Sequence, residues 1–218
     1  MESVIQTLAI YAIPVVFAIT LHEAAHGYVA RHFGDPTAWM LGRISLNPLR
    51  HVDPVGTVLV PAITMALGGI LFGWAKPVPV MFGKLRHPKK DMLWVAAAGP
   101  GANLLMLLGW AVSLKVALVL PEHPYSEAIR EMSRAGIRVN SSLMLLNLLP
   151  IPPLDGGRMA VSLLPMSVAV RFSRLEPYGF WILLAMIFFT VNGVSILGYV
   201  MYPAMGIVEM LVKTILSL

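Results

Sequence analysis

Long stretches without a charge alternate with short polar connections along the 218-residue chain. Val4 to Leu21 is uncharged, and helical character extends to about Arg31. Thr57 to Trp74 is a second uncharged run, interrupted by Pro61 and by Gly68-Gly69. Met92 to Leu120 contains only Lys115, and Val139 to Leu154 is broken at its end by Pro150, Pro152 and Pro153. A last region, Tyr178 to Leu218, has Asn192-Gly193 near its middle. At about 1.5 Å per helical residue a membrane crossing takes about 20 residues, so that region fits two crossings, or one crossing and a surface helix. The pattern predicts an all-α polytopic membrane protein with about five to six apolar segments.

The connections differ in character. Between Arg31 and Asp53, the polar residues Arg43, Ser45 and Asn47 alternate with Ile44 and Leu46, which reads as a short strand between the first two apolar segments. An ordinary amphipathic connector is the alternative. Ala75 to Lys90 opens with Lys-Pro-Val-Pro-Val, an extended and stiff surface segment, and carries Lys76, Lys84, Arg86, Lys89 and Lys90. Pro121 to Gly136 mixes acidic and basic residues and reads as a nearly neutral connection; Gly156 to Pro177 carries Arg158, Arg171 and Arg174. With no internal repeat or low-complexity tract, the whole of 1–218 reads as one domain.

Composition supports the bilayer as solvent. Apolar residues make up 57% of the chain and charged residues 12%, whereas soluble domains run near 45–50% and about 25%. There is no cysteine, which excludes disulfides, thiolate metal sites and cysteine nucleophiles. In such a chain a net charge of +5 reports cytoplasmic loops, not a nucleic-acid partner. Glu2 and the lack of a basic leader argue against a cleavable signal peptide.

The chemistry concentrates at His22-Glu23-Ala24-Ala25-His26. On a helix, positions i and i+4 share a face one turn apart, so both imidazoles can reach one cation. Glu23 can then point at a water activated by that metal. Zinc suits two neutral imidazoles, a carboxylate and an open fourth position. Such a pattern recurs by chance in soluble helices, but ionisable groups at the end of an apolar span need a reason to be there, and ligation supplies one. His32 and His51 are poorly placed for the third ligand. Asp155 is better, at the end of Asn147-Leu-Leu-Pro-Ile-Pro-Pro-Leu-Asp155-Gly-Gly, where the prolines forbid regular helix and Gly156-Gly157 lets the chain turn. A helix N-cap at Asp155 is the competing role, and it does not exclude ligation.

Taken together, His22 to His26, Gly99-Pro100-Gly101-Ala102-Asn103 and Asn147 to Gly157 make the chain resemble the site-2 protease family of intramembrane zinc metalloproteases, in a short form without PDZ or CBS domains. The resemblance implies one zinc ion per chain held by His22, His26 and Asp155, with Glu23 as general base. It implies that Asn147 stabilises an oxyanion or orients substrate. Asn103 is expected to pack against the catalytic core or hydrogen-bond the strand region, and is also a candidate substrate contact. Ser45 and Asn47, on the expected strand, are candidates for pairing with an unwound substrate. The implied activity is hydrolysis of peptide bonds in or near transmembrane segments of membrane proteins, with the lipid bilayer as the other partner.

Ligands on one ion must share one depth, so an even number of full crossings separates His26 from Asp155. Thr57 to Trp74, short and bent by Pro61 and the glycine pair, is the expected exception: a re-entrant hairpin. The basic loops then face the cytoplasm, the N-terminus lies outside, and the active site sits toward the cytoplasmic leaflet of the cell membrane. A metal transporter built from the same ligands and an inactive scaffold are the competing classes. The sequence leaves the substrate and the oligomeric state open.

Overall fold

The computed structural model describes residues 2–51, 53–59 and 76–216. The first apolar run forms α1 (Glu2–His32), which ends with Arg31 and His32 where basic charge complements the carbonyl end of a helix. Gly34, at φ 108°, turns the chain out of it. A short α2 (Thr37–Met40) follows. The third run forms α3 (Pro88–Val119), and α4 (Pro124–Asn147) folds back along it. Trp110 of α3 packs on Gly136 of α4, where a Cβ would lie 2.5 Å from the indole Cδ1. Ser133 Oγ donates to Ser113 Oγ at 3.0 Å. Arg130 donates to the Ala117 and Leu120 carbonyls at 3.0 and 3.2 Å, satisfying the open end of α3.

The α4 helix begins well before the apolar pattern does. Residues Pro124 to Gly136, read from sequence as part of a connection, are its first half. A reciprocal cap between His123 and Ser126 and Pro124 in the first turn start the helix. Glu127 then pairs with Arg130 at 3.3 Å and Glu131 with Arg134, each three residues apart, so the charges are laid along the helix surface.

Beyond α4 the chain runs irregularly to α5 (Asp155–Leu163), then α6 (Met166–Ser173), α7 (Gly179–Phe188) and α8 (Ile196–Leu216). Strands β1 (Thr190–Val191) and β2 (Val194–Ser195) pair antiparallel between the last two helices. Asn192 and Gly193, at φ 49° and 78°, make the turn that such a tight hairpin requires. Leu107 and Ala111 of α3, Met144 of α4, and Val208 and Val212 of α8 form one core cluster.

Among the described residues, three helices are long and apolar enough to cross a membrane: Ala9–His32 of α1, Pro88–Val119 and Ile196–Leu216. The five to six apolar segments read from sequence are not all of this kind. The 10 residues of α7 reach only about 15 Å. The first half of α4 is charged. Most of Thr57 to Trp74, the expected re-entrant hairpin, lies outside the described residues. The flanks of that run are placed side by side: Lys76 N–H donates to the His51 carbonyl at 2.9 Å.

The strand expected over Gly42 to Asn47 is not formed. Asn47 Oδ1 accepts from Leu49 N–H at 3.0 Å and caps the short turn Pro48–Arg50, while Ser45 Oγ accepts from Asn47 N–H at 3.1 Å. These local bonds compete with a ladder. Arg43 holds the neighbouring segment with its side chain, donating to the Lys76 and Pro77 carbonyls at 3.1 and 3.4 Å.

Asp35 fastens the connection after α1. Its buried carboxylate accepts from Thr37 N–H at 3.0 Å and from Met81 N–H at 2.6 Å. Burial alone raises its pKa, but the bonds from Thr37 and Met81, with Lys84 nearby, outweigh that and hold it below the ordinary value. A depressed folded-state pKa stabilises the fold above the ordinary carboxylate range, and the stabilisation is lost as pH falls through the folded value. Asp35→Ala is expected to lower the melting temperature at neutral pH, with a loss of about 1–3 kcal/mol from the orphaned donors. The difference from the parent protein should shrink as thermal melts are repeated toward pH 3.

Candidate metal centre

Three elements bring one site together. Helix α1 carries His22 and His26 one turn apart, their rings edge to face with centroids 4.8 Å apart. Helix α3 crosses them at Gly99, where a Cβ would lie 2.5 Å from His22 Nε2 and closer still to His26 Nε2. Asp155 is the first residue of α5, with Leu154 at the cap position and no side-chain cap, so its carboxylate is not spent on capping. It stands 3.2 Å from His22 Nε2 and 3.3 Å from His26 Nε2. Sitting in the first turn also places its negative charge at the positive end of a helix. His22, His26 and Asp155 are 7%, 9% and 7% exposed.

The glycines after Asp155 serve close packing. A Cβ on Gly157 would lie 2.5 Å from the Ile151 carbonyl carbon and 2.7 Å from Pro152 Cα, and one on Gly156 would run into the Leu148 carbonyl. Both sit inside α5, so the sharp turn expected of them is made by residues 148–154 instead.

The hydrogen bonds fix the protons. His26 Nδ1 faces the Val95 carbonyl at 2.7 Å, which can only accept, so the proton is on Nδ1. His22 Nδ1 faces Asn103 Oδ1 at 2.6 Å. Asn103 is fully buried, and its Nδ2 donates to the Ala18 carbonyl at 3.3 Å and Asn140 Oδ1 at 3.0 Å, so the amide orientation is set and its oxygen must accept. Both Nε2 atoms therefore present lone pairs, 3.1 Å from one another. Asp155 Oδ2, buried and without a hydrogen-bond partner, completes the triangle. Three acceptors facing each other with no proton between them repel unless a cation joins them. Tetrahedral ligands at about 2.0–2.1 Å from zinc stand about 3.3 Å apart, close to the spacings seen here. The donor set, the orphaned oxygen and the spacing all fit a zinc ion.

Glu23 follows His22 on α1 and is outside the trio. Its Oε2 accepts from Val78 N–H at 2.7 Å, which ties it to the extended Lys-Pro-Val-Pro-Val segment. Asn147 ends α4, and its Nδ2 donates to the Leu143 carbonyl of the same helix at 3.0 Å. Asn103 lies behind His22 and is fully buried. Ser45 and Asn47 lie in the local turn described above.

Sequence reasoning missed four contributors. The Val95 carbonyl leaves no side-chain signal. Val78 acts through its amide, in a segment read only as a stiff loop. Gly99 was noted within its motif but not as the point of helix contact. Asn140 was legible in principle, since it lies seven residues before Asn147 and so on nearly the same helix face.

No family model matches the chain, and no solved structure does. It is 36% identical over 203 residues to the "Putative zinc metalloprotease YwhC" of Bacillus subtilis, a match covering 89% of this chain and 84% of that protein. It is 32% identical over 146 residues to the "Putative zinc metalloprotease Rip2" of Mycolicibacterium smegmatis, covering 65% of this chain and 52% of that one. The Rip2 protein of Mycobacterium tuberculosis is 33% identical over 144 residues, covering 64% and 51%.

Proposed function

The chain belongs to the site-2 protease family of zinc metalloproteases, and on that premise we propose that it is an intramembrane endopeptidase that hydrolyses peptide bonds in or near transmembrane segments of membrane proteins. The observation that carries the reading is the convergence of His22 Nε2, His26 Nε2 and Asp155 Oδ2 within 3.1–3.3 Å, on and against a helix long and apolar enough to cross a membrane, with Glu23 beside them.

His22, His26 and Asp155 hold the zinc. Bound there, it supplies a Lewis acid that polarises a carbonyl and lowers the pKa of water toward 7. Glu23 takes the proton from the attacking water and hands it to the leaving amine. The Val78 amide fixes one carboxylate oxygen of Glu23, which narrows the positions the other can take. Asn147, at the end of α4, donates to the developing oxyanion once its amide swings away from Leu143.

The protein is multi-pass, with the site toward the cytoplasmic leaflet and the N-terminus outside. The antiparallel α3 and α4 support a return of the chain to the level of His22. Lys84 and Arg86 lie in the connection before α3 and bond to Thr37 and to the His32 carbonyl near the end of α1, with Lys89 and Lys90 following in the first turn of α3, which supports a cytoplasmic face on that side. The partner is a transmembrane protein whose helix unwinds locally at the scissile bond.

The test uses purified protein in liposomes with a labelled transmembrane peptide. Cleavage within the apolar segment is expected, with loss on chelation by phenanthroline and recovery when zinc is restored. An intact peptide combined with zinc flux across the liposome would overturn the protease reading in favour of transport.

A further inference from the structure

Two asparagines lie fully buried among apolar helices, Asn103 on α3 and Asn140 on α4. Side-chain amides deep in a bundle of membrane helices are costly unless every polar atom is matched. Here the bonds form a chain with one direction. His22 Nδ1–H donates to Asn103 Oδ1 at 2.6 Å, Asn103 Nδ2 donates to Asn140 Oδ1 at 3.0 Å, and Asn140 Nδ2 donates to the Gly136 carbonyl of its own helix at 2.8 Å.

The direction has a consequence at the metal. The Gly136 carbonyl can only accept, so Asn140 must turn its nitrogen to it and its oxygen to Asn103. That oxygen, with the Ala18 carbonyl, draws both protons of the Asn103 amide, so Asn103 must show its own oxygen to His22. His22 then keeps its proton on Nδ1 and its lone pair on Nε2. His26 needs no such chain, because the Val95 carbonyl, part of the backbone, orders it directly. The two imidazoles are thus prepared in different ways, and only the His22 side depends on side chains of other helices.

We propose that Asn140 is a positioning residue for zinc binding: it touches no ligand, and it sets the proton and the orientation of His22 through Asn103. The inference rests on the zinc reading of His22, His26 and Asp155. The competing role is simple interhelical adhesion, in which Asn140 joins α4 to α3 without bearing on the metal.

Outer partners of metal-bound histidines change metal affinity by about 10–100-fold when removed. Asn140→Leu keeps the volume and removes the acceptor, and is expected to weaken zinc binding by that factor. Asn140→Asp keeps an acceptor oxygen toward Asn103 and, in its neutral form, a hydroxyl for the Gly136 carbonyl, and is expected to weaken zinc binding by less than about tenfold, below that range. Zinc affinity is measured on full-length metal-free protein in detergent by competition with a chromophoric chelator. A double-mutant cycle with Asn103→Leu separates the roles: acting through Asn103, Asn140→Leu adds nothing further once Asn103 is gone. Additive losses in the cycle, or parent-like affinity in Asn140→Leu, overturn the proposal. If Asn140→Leu does not fold, the smaller Asn140→Ala, which also lacks an acceptor, takes its place, and parent-like zinc affinity in that variant is equally fatal. Parent protein that binds no zinc would bring down the metal reading itself, and this inference with it.

Discussion

Glu23→Gln is expected to keep a full complement of zinc and to lose about 10²–10⁴-fold in the rate of peptide-bond cleavage. Glutamine preserves the shape of the side chain and an oxygen that can still accept from Val78 N–H, so the segment against α1 stays in place. It cannot take a proton from water. The ligand trio does not include Glu23, so its replacement leaves His22, His26 and Asp155 free to hold the ion. Zinc content by elemental analysis, alongside cleavage of a labelled transmembrane peptide, reads both halves of the expectation. Undiminished cleavage would remove Glu23 from the mechanism. Loss of zinc together with activity would mean that the carboxylate supports the site's structure and not its chemistry.

Gly99→Ala carries the second large effect, and here the metal is lost. A methyl at position 99 would come within 2.5 Å of His22 Nε2 and closer to His26 Nε2, where ordinary contact is at least 3.4 Å. Either α3 moves away from α1 or the imidazoles rotate out of line. Overpacking of this kind costs about 1–3 kcal/mol, and ligand geometry tolerates only about 0.5 Å. Zinc affinity is expected to fall by about 100-fold or more, equivalent to about 2.8 kcal/mol. Gly101→Ala is the control, since nothing lies within 4 Å of a Cβ there, and it should bind zinc as the parent does. Equal affinity in the two alanine variants would contradict the packing described.

The parts of the site that sequence made legible are those written in side chains at fixed spacing. His22 and His26 share a face because a helix has 3.6 residues per turn, and no tertiary information is needed to see it. Asp155 was legible because a carboxylate at the end of a proline-broken apolar stretch has few other uses. What was not legible acts through the backbone or through contacts between distant segments. The Val95 carbonyl and the Val78 amide exist at every residue, and only the fold selects them. The motif alone leaves Asn103 open between packing on the catalytic core and reaching the strand region or substrate; the contact with His22 Nδ1 and the full burial of Asn103 are what the fold adds. The strand over Gly42 to Asn47 was inferred from alternation, but the side chains of Ser45 and Asn47 satisfy neighbouring amides and close a turn. The early start of α4 is hard to read in sequence because its charges, paired three residues apart, resemble a polar connection, and the cap at His123 is the signal that separates the two. Asn192-Gly193 carried the strongest short hairpin signal in the chain, obscured by the long apolar region around it.

The central claim is that distant parts of the chain converge on one zinc ion through two imidazoles and one carboxylate. X-ray absorption at the zinc edge of the purified protein tests it most directly. One zinc per chain is expected, with two imidazole nitrogens at about 2.0–2.1 Å and oxygen in the remaining positions, and with that signal lost in Asp155→Ala. Protein without stoichiometric metal, or a spectrum unchanged by Asp155→Ala, would contradict it.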